Sequence, residues 1–245
     1  MENALLVGLS AQLALRRSME IVANNVANVS TAGFKRENPL FEQVLADVES
    51  GDRLGGQSQV AFVRDWGVLR DLSAGSFEQT GGTLDMAIEG NAYFTVQTAG
   101  GERFTRDGQF KMDVNGRLVT AMGDPVMGEG GEIVLPANAK DIKIAADGTI
   151  STQDGQAGRI RLASFENERK LRKDGGNLYV SDDPALPAAG ARVQQGFVER
   201  SNVQGVAEMT RMIEISRAYS AVSDSLSQTE ETLKRAVSKL GEVKA

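Results

Sequence analysis

The sequence predicts an α+β protein whose N- and C-terminal helices pair as a coiled coil, with a mainly antiparallel β domain inserted between them. Three observations predict it. Apolar residues recur at alternating steps of four and three near the N-terminus, at Leu15, Met19, Val22, Val26 and Val29. The same alternation returns from Met212 to the C-terminal end, and this spacing is that of a heptad seam. The region between the seams carries nearly all the glycine and every proline. There, short alternating runs are punctuated by turn dipeptides.

Residues 1–34 read as the N-terminal core helix, about 45–50 Å long, closed by the C-cap signal of Gly33. Its other faces are unusual. They carry Asn24, Asn25 and Asn28, and no charged residue occurs from Ile21 to Phe34. Water-facing helix surfaces normally carry Lys, Glu and Arg, so this stretch reads as a helix packed on most sides. Charges buried in such a place cost several kcal/mol when unpaired, whereas Asn, Ser and Thr hydrogen-bond across an interface without that penalty.

Residues 35–78 read as a connector. Pro39 followed by Phe41, Val44, Leu45 and Val48 predicts a short amphipathic helix, "QVAFV" a strand, and "SGDRLGGQSQ" a flexible tip. Residues 79–197 read as the β domain, with about eight to ten strands and hairpin turns at Asn115-Gly116 and Asp147-Gly148. Residues 198–245 read as the C-terminal core helix that pairs with 1–34. Its seam is Met212, Ile215, Tyr219, Val222, Leu226, Thr229, Leu233, Ala236 and Leu240, and Gly241 offers a stop. Glu208–Arg211, Glu214–Arg217, Glu230–Lys234 and Glu231–Arg235 have spacings that support a helix from its surface.

Composition narrows the function. Of the 245 residues 41% are hydrophobic, enough for a core, and the net charge of −6 comes without a basic stripe. Nucleic acid is therefore a poor partner. Cysteine and histidine are both absent, which removes Cys-nucleophile, Ser-His and His-metal chemistry. The apolar run "ALLVGLSAQLAL" is interrupted by Gly8, Ser10 and Gln12, and Arg16 and Arg17 follow it instead of preceding it. A cleaved signal peptide is not expected. No run reaches the ~18 apolar residues of a spanning helix.

The remaining motifs have plain readings. Asp113-Val114-Asn115-Gly116 resembles a fragment of a calcium loop but lacks its other acidic ligands, and it reads as a β-turn. Gly81-Gly82 and Gly130-Gly131 belong to no phosphate-loop pattern. Asp182 and Asp183 sit in "SDDPALPAAG", a loop composition. Met209 and Met212 read as packing residues. No catalytic, cofactor-binding or metal-binding residue is assigned, no cofactor or small-molecule substrate is expected, and the chain does not read as an enzyme.

Four blocks carry a family resemblance. "ANNVANVSTAGFK" (23–35), "QTGGTLDMAIEGNAYFTVQ" (79–97), "FTRDGQFKMDVNGRLVTAMGDPVMG" (104–128) and "VQQGFVERSNVQGVAEMTRMIEISRAYSAV" (193–222) closely resemble the bacterial flagellar axial proteins of the rod and hook family, in family order. The length and single modest β domain resemble rod members, and "GRIRLASF" and "LKRAVSKLGEVKA" look most like those of the proximal rod, with the distal rod next. Tyr93 and Ile215 depart from the common Phe and Gln.

The resemblance implies a structural subunit of the periplasmic rod. Such a subunit is made in the cytoplasm, exported unfolded by the flagellar type III apparatus and assembled with its own copies and neighbouring rod proteins into a tube that links motor to hook and transmits torque. The expected assembly interface is Leu15, Met19, Val22, Asn24, Asn25, Val26, Asn28, Val29, Gly33 and Phe34 with Ser201, Asn202, Met209, Met212, Ile215, Tyr219, Val222 and Leu226. The alternative is a soluble β-domain binding module or assembly adaptor with an intramolecular helical hairpin.

Overall fold

Helix α1 (Glu2–Ala27) and helix α2 (Gly205–Glu242) pack together. The computed structural model describes residues 2–48, 58–136, 139 and 141–242. It divides the chain into two units, one of Met1–Ala27, Glu37–Arg70 and Gln204–Ala245, the other of Asn28–Arg36 and Asp71–Val203.

In the first unit the helices are antiparallel. Gly8 of α1 lies against Leu226 of α2, and Asn25 against Glu208. Equal rise along the two helices then sets Leu15, Met19 and Val22 level with Tyr219, Ile215 and Met212. The α2 seam positions Met212, Ile215, Tyr219, Val222, Leu226, Thr229, Leu233 and Ala236 are all half-buried, while most positions between them are exposed. The heptad expectation thus appears in the burial pattern. Glu208 takes the seam position one step before Met212 and is buried.

The unit is completed by strand β1 (Glu37–Val48) and strand β2 (Ser58–Arg70), an antiparallel hairpin in contact with α1. This overturns the short helix expected after Pro39. The spacing of Phe41, Val44, Leu45 and Val48 suits a helix, but three tertiary facts favour an extended chain. The backbone of Glu37 is held on both sides by Asn25. Asn38 precedes a proline, which disfavours helical geometry. Strand β2 supplies a full-length partner, with register from Glu37↔Arg70 to Val48↔Ser58. Leu40 pairs with Gly67 and Phe41 with Asp65, so Trp66 is the extra residue of a β-bulge and is exposed. Of the expected flexible tip, Ser58 and Gln59 belong to β2 and the remainder falls outside the described residues.

The expected helix limits also move. α1 stops at Ala27 and not at Gly33, because Thr31 folds back on Asn28 through its N–H (3.2 Å) and its hydroxyl (3.1 Å). Gly33 does adopt left-handed geometry, with φ +66°, but it ends this turn instead of the helix. α2 begins at Gly205 and not near residue 198, because Phe197–Glu199 is a strand. At its far end the helix takes in Gly241 and Glu242, and residues 243–245, like Met1, lie outside the described residues.

The second unit is built from short antiparallel strands, several only two residues long, with one 3-10 turn and no α-helix among the described residues. Strand β3 (Phe77–Gln79) pairs with Phe197–Glu199, and strand β4 (Met86–Glu89) with Arg192–Gln195. Strands β5 (Tyr93–Thr98) and β6 (Gly101–Thr105) form the centre of a six-stranded sheet. β5 is buried on both faces. Phe94 and Val96 enter the main core with Met86, Ile88, Leu118 and Ile150. Tyr93 enters an aromatic cluster with Phe104, Phe165 and Tyr179, in edge-on contacts of 4.8–5.9 Å. Full burial of such side chains contributes about 1.5–3 kcal/mol each.

Both hairpin turn signals hold. Lys111–Met112 pairs with Leu118–Val119 around Gly116 (φ +80°), and Lys143–Ile144 pairs with Thr149–Thr152 around Gly148 (φ +85°).

Candidate assembly interface

The residues expected to form an interface fall into several settings. Leu15, Met19, Val26, Met212, Ile215, Tyr219, Val222 and Leu226 are half-buried and Val22 is buried, on the paired helices. Gly8 explains how closely the helices approach: a Cβ there would stand 2.5 Å from Leu226 Cδ2. Asn24 and Met209 lie on exposed faces, and Val29 sits in the turn after α1, outside the seam.

Asn25 is fully buried and makes contacts within the chain. Its Nδ2 donates to the Glu37 carbonyl at 2.7 Å and to Glu208 Oε2 at 3.0 Å, while its Oδ1 accepts the Glu37 N–H at 2.9 Å. One amide therefore joins α1, β1 and α2. An apolar residue of the same size would take a hydrogen bond away from the buried Glu208 carboxylate and two from the half-buried backbone of Glu37. Arg211 Nη1 reaches Glu208 Oε1 at 3.5 Å from the helix exterior. The uncharged helix stretch is thus explained in part by a charge that α2 supplies.

The last residues of the N-terminal motif serve the β unit. Phe34 is buried, with Lys173 Nζ 4.5 Å above its ring. Gly33 donates its N–H to the Glu199 carbonyl at 2.7 Å, and a Cβ at Gly33 would stand 2.4 Å from the Arg106 carbonyl carbon. Only glycine tolerates both the positive φ and this approach. Asn202 binds a neighbouring loop: its Oδ1 accepts the Arg36 N–H at 2.7 Å, and its Nδ2 donates to the carbonyls of Asp71 (2.9 Å) and Ser73 (3.0 Å). Ser201 Oγ accepts the Val203 N–H and Asn28 accepts from Thr31, both local turn contacts.

At the centre of that unit lies a buried charge cluster that the sequence reading missed. Glu199 Oε1 accepts from Lys35 Nζ at 2.7 Å and from the Gly75 N–H at 3.0 Å, and its Oε2 accepts from Arg106 Nε at 2.9 Å with Arg106 Nη2 at 2.8 Å. Arg106 spends its other donors on the carbonyls of Gly90 (2.7 Å), Ala92 (2.5 Å) and Ile88 (3.3 Å). All five guanidinium donors are thereby used. Lys35 also donates to the Ser73 carbonyl at 2.7 Å.

Burial lowers the Lys35 pKa below its usual value, and Glu199 only partly opposes that. Burial raises the Tyr93 pKa, with help from Glu168, whose Oε2 accepts the Tyr93 hydroxyl at 3.0 Å. One signal for the cluster was present in the sequence. Lys35, Arg106 and Glu199 are charges inside the motif blocks "AGFK", "FTRDG" and "GFVER".

The described residues hold no group of three or more His, Cys, Asp or Glu placed to bind a metal, and no helix among them is long and apolar enough to cross a membrane.

Comparison with known proteins gives a consistent picture along the chain. Residues 5–35 match the family described as flagella basal body rod protein, 87–152 the flagellar hook protein FlgE/F/G D1 domain, and 194–239 the flagellar basal body rod FlgEFG protein C-terminal. The chain is similar to the flagellar basal-body rod protein FlgF of Caulobacter vibrioides, with 42% identity covering 99% of this chain and 100% of that one. It is 36% identical to FlgF of Mesorhizobium japonicum, covering 98% and 99% of the two chains. It is 32% identical to the rod protein FlgG of Bacillus subtilis, covering 97% and 98%.

Proposed function

The chain belongs to the flagellar basal-body rod protein family, and on that premise we propose that it builds the rod by self-assembly through its terminal helices. It is a structural subunit of the flagellar basal body, of a family that is not enzymatic, and most like FlgF and then FlgG. Its copies and neighbouring rod proteins form a tube in the periplasm that carries torque from motor to hook. The subunits reach that site through the flagellar type III export apparatus.

One observation carries this reading. The helix pair leaves large apolar side chains exposed on both α1 and α2, including Leu6, Leu9, Leu13, Val206, Met209 and Ile213. Residues so placed on a single copy are those that neighbours in a packed tube bury. The interface residues named from the sequence take two roles in this proposal. The seam residues hold α1 to α2, and the exposed positions Asn24 and Met209 face other chains.

Substitution of the buried Val22 by Asp tests it. The variant is expected to be absent from purified basal bodies and to abolish motility, while hydrogen exchange over residues 79–197 stays as in the unaltered protein. Normal incorporation of Val22→Asp into basal bodies overturns the proposal.

A further inference from the structure

We infer that a groove in the β unit docks an extended peptide of another protein, taking a tyrosine side chain flanked by lysine or arginine. The groove lies wholly within that unit, between residues 95 and 191. Its volume is about 700 Å³, inside the roughly 300–1,000 Å³ range of ligand sites.

The six-stranded sheet builds its floor. Thr95 of β5 pairs with Phe104 of β6, Tyr93 with Ala163, and Ala163 with Pro187 on the edge strand Leu186–Pro187. Residues directly opposite share a face, and Tyr93 and Thr95 share one by alternation. Phe94 and Val96 point the other way, into the main core. Thr95, Phe104, Ala163 and Pro187 therefore line the groove from one face of the sheet. Residues 185–191 form a wall that carries only Leu186, Pro187, alanine and glycine.

One atom of this floor is unsatisfied. Thr95 Oγ1 is buried without a hydrogen-bond partner among the described residues. Buried hydroxyls are nearly always paired, so this one marks where a polar atom of a ligand belongs, beside the ring of Phe104. A phenol meets both demands, with its hydroxyl on Thr95 and its ring on Phe104. Tyrosine is also among the side chains that most often anchor interfaces. From Thr95 to Pro187 the floor extends two strand spacings, about 10 Å, and a peptide continuing from the tyrosine covers that length.

Charge selects the flanking residues. At the groove Arg161 pairs with Glu102, while Arg159 is shared between Glu129 at 3.4 Å and Asp147 at 3.9 Å. Three carboxylates thus meet two guanidiniums, and a cation beside the tyrosine completes the set. The occupant is not a second copy of this chain. Of its three tyrosines, Tyr93 and Tyr179 are buried in the aromatic cluster and Tyr219 is half-buried on α2.

Three peptides test the inference on the full chain: acetyl-Lys-Tyr-Lys-amide, its phenylalanine counterpart and acetyl-Glu-Tyr-Glu-amide. Each is titrated onto isotope-labelled protein while NMR follows the amides of Thr95, Ala163 and Ala188. The basic tyrosine peptide is expected to shift them at about tenfold lower concentration than either of the others. Thr95→Val is expected to erase the difference between tyrosine and phenylalanine and to keep the preference for basic flanks. Glu129→Lys, at an exposed position, is expected to weaken both basic peptides and to keep the preference for tyrosine. Because Thr95 Oγ1 gives up no bond, the Tm of Thr95→Val is expected to equal or exceed that of the unaltered chain.

Equal binding of the tyrosine and phenylalanine peptides overturns the inference, and so does an unchanged tyrosine preference in Thr95→Val. Shifts confined to residues outside the groove, or none at the highest soluble concentration, overturn it as well. A marked fall in Tm for Thr95→Val, or its failure to fold, has the same force, since the hydroxyl then has a partner within the chain.

Discussion

The Lys35 ammonium donates to Glu199 Oε1 at 2.7 Å with both side chains almost sealed from water, so the end of the N-terminal motif is bound to the start of the C-terminal one by a buried ion pair. Breaking such a pair by removing one partner costs far more than the pair contributes, because a charge is left behind. The partners are not equivalent. Removing Glu199 strands two cations, Lys35 and Arg106, whereas removing Lys35 leaves Glu199 with Arg106 and the Gly75 N–H. Glu199→Ala is expected to lower the unfolding free energy of the β unit by about 3–5 kcal/mol, and Lys35→Met by clearly less. Urea unfolding of the two variants measures the difference, and equal losses would contradict this account.

The same cluster predicts an alkaline pH dependence. Burial lowers the Lys35 pKa below its ordinary 10.5, so between the folded value and 10.5 the unfolded chain binds more protons than the folded one. Stability contributed here rises with pH through that window and is lost as pH falls through the folded pKa. Tyr93 acts oppositely above about pH 10. Its raised pKa keeps the folded phenol protonated, and stability falls there as pH rises. Unfolding free energy measured on the alkaline side below about pH 10 is expected to slope upward in the unaltered protein. In Lys35→Met that rise is expected to disappear.

Asn25 predicts a graded response in the helical unit. Asn25→Ala removes one hydrogen-bond partner of the buried Glu208, at about 1–3 kcal/mol, and one from each half-buried backbone group of Glu37 at less. Asn25→Asp keeps an acceptor for the Glu37 N–H but sets a second carboxylate about 3 Å from Glu208. It is expected to be the worse variant at neutral pH and to recover as the pH falls below about 5, where carboxylates protonate. Thermal unfolding followed by helical circular dichroism at the two pH values checks the order.

Gly8 predicts a suppressor pair. A Cβ at Gly8 overlaps Leu226 Cδ2 at 2.5 Å, so Gly8→Val is expected to force the helices apart at that level and reduce incorporation into basal bodies. Leu226→Ala vacates the same space. The double variant is expected to incorporate better than Gly8→Val alone, as measured by the amount of chain in purified basal bodies.

Much of the fold was legible in the residues because its signals are local. The α2 seam from Met212 to Ala236 follows from one heptad repeat, and the half-buried state of those positions matches it. The turns at Gly116 and Gly148 follow from Asn-Gly and Asp-Gly, since a positive φ is a property of the residue itself. The lack of charge from Ile21 to Phe34 suggested a packed segment; within one chain Asn25 and Phe34 are buried, while Ala23, Asn24, Ala27, Val29 and Ser30 stay exposed.

What tertiary structure decided are the places where a local preference competes with a distant partner. The segment from Phe41 to Val48 carries helical spacing, yet β2 offers it a full ladder of backbone hydrogen bonds and it becomes a strand. Residues 198–199 fall within the expected C-terminal helix, but Phe77–Gln79 draws Phe197–Glu199 into a sheet and α2 begins only at Gly205. The Lys35–Glu199–Arg106 cluster joins residues 35, 106 and 199. A sequence shows that a charge is present and not what neutralises it, because the energy of a buried charge is set by the groups within a few ångströms in space and not by its neighbours along the chain.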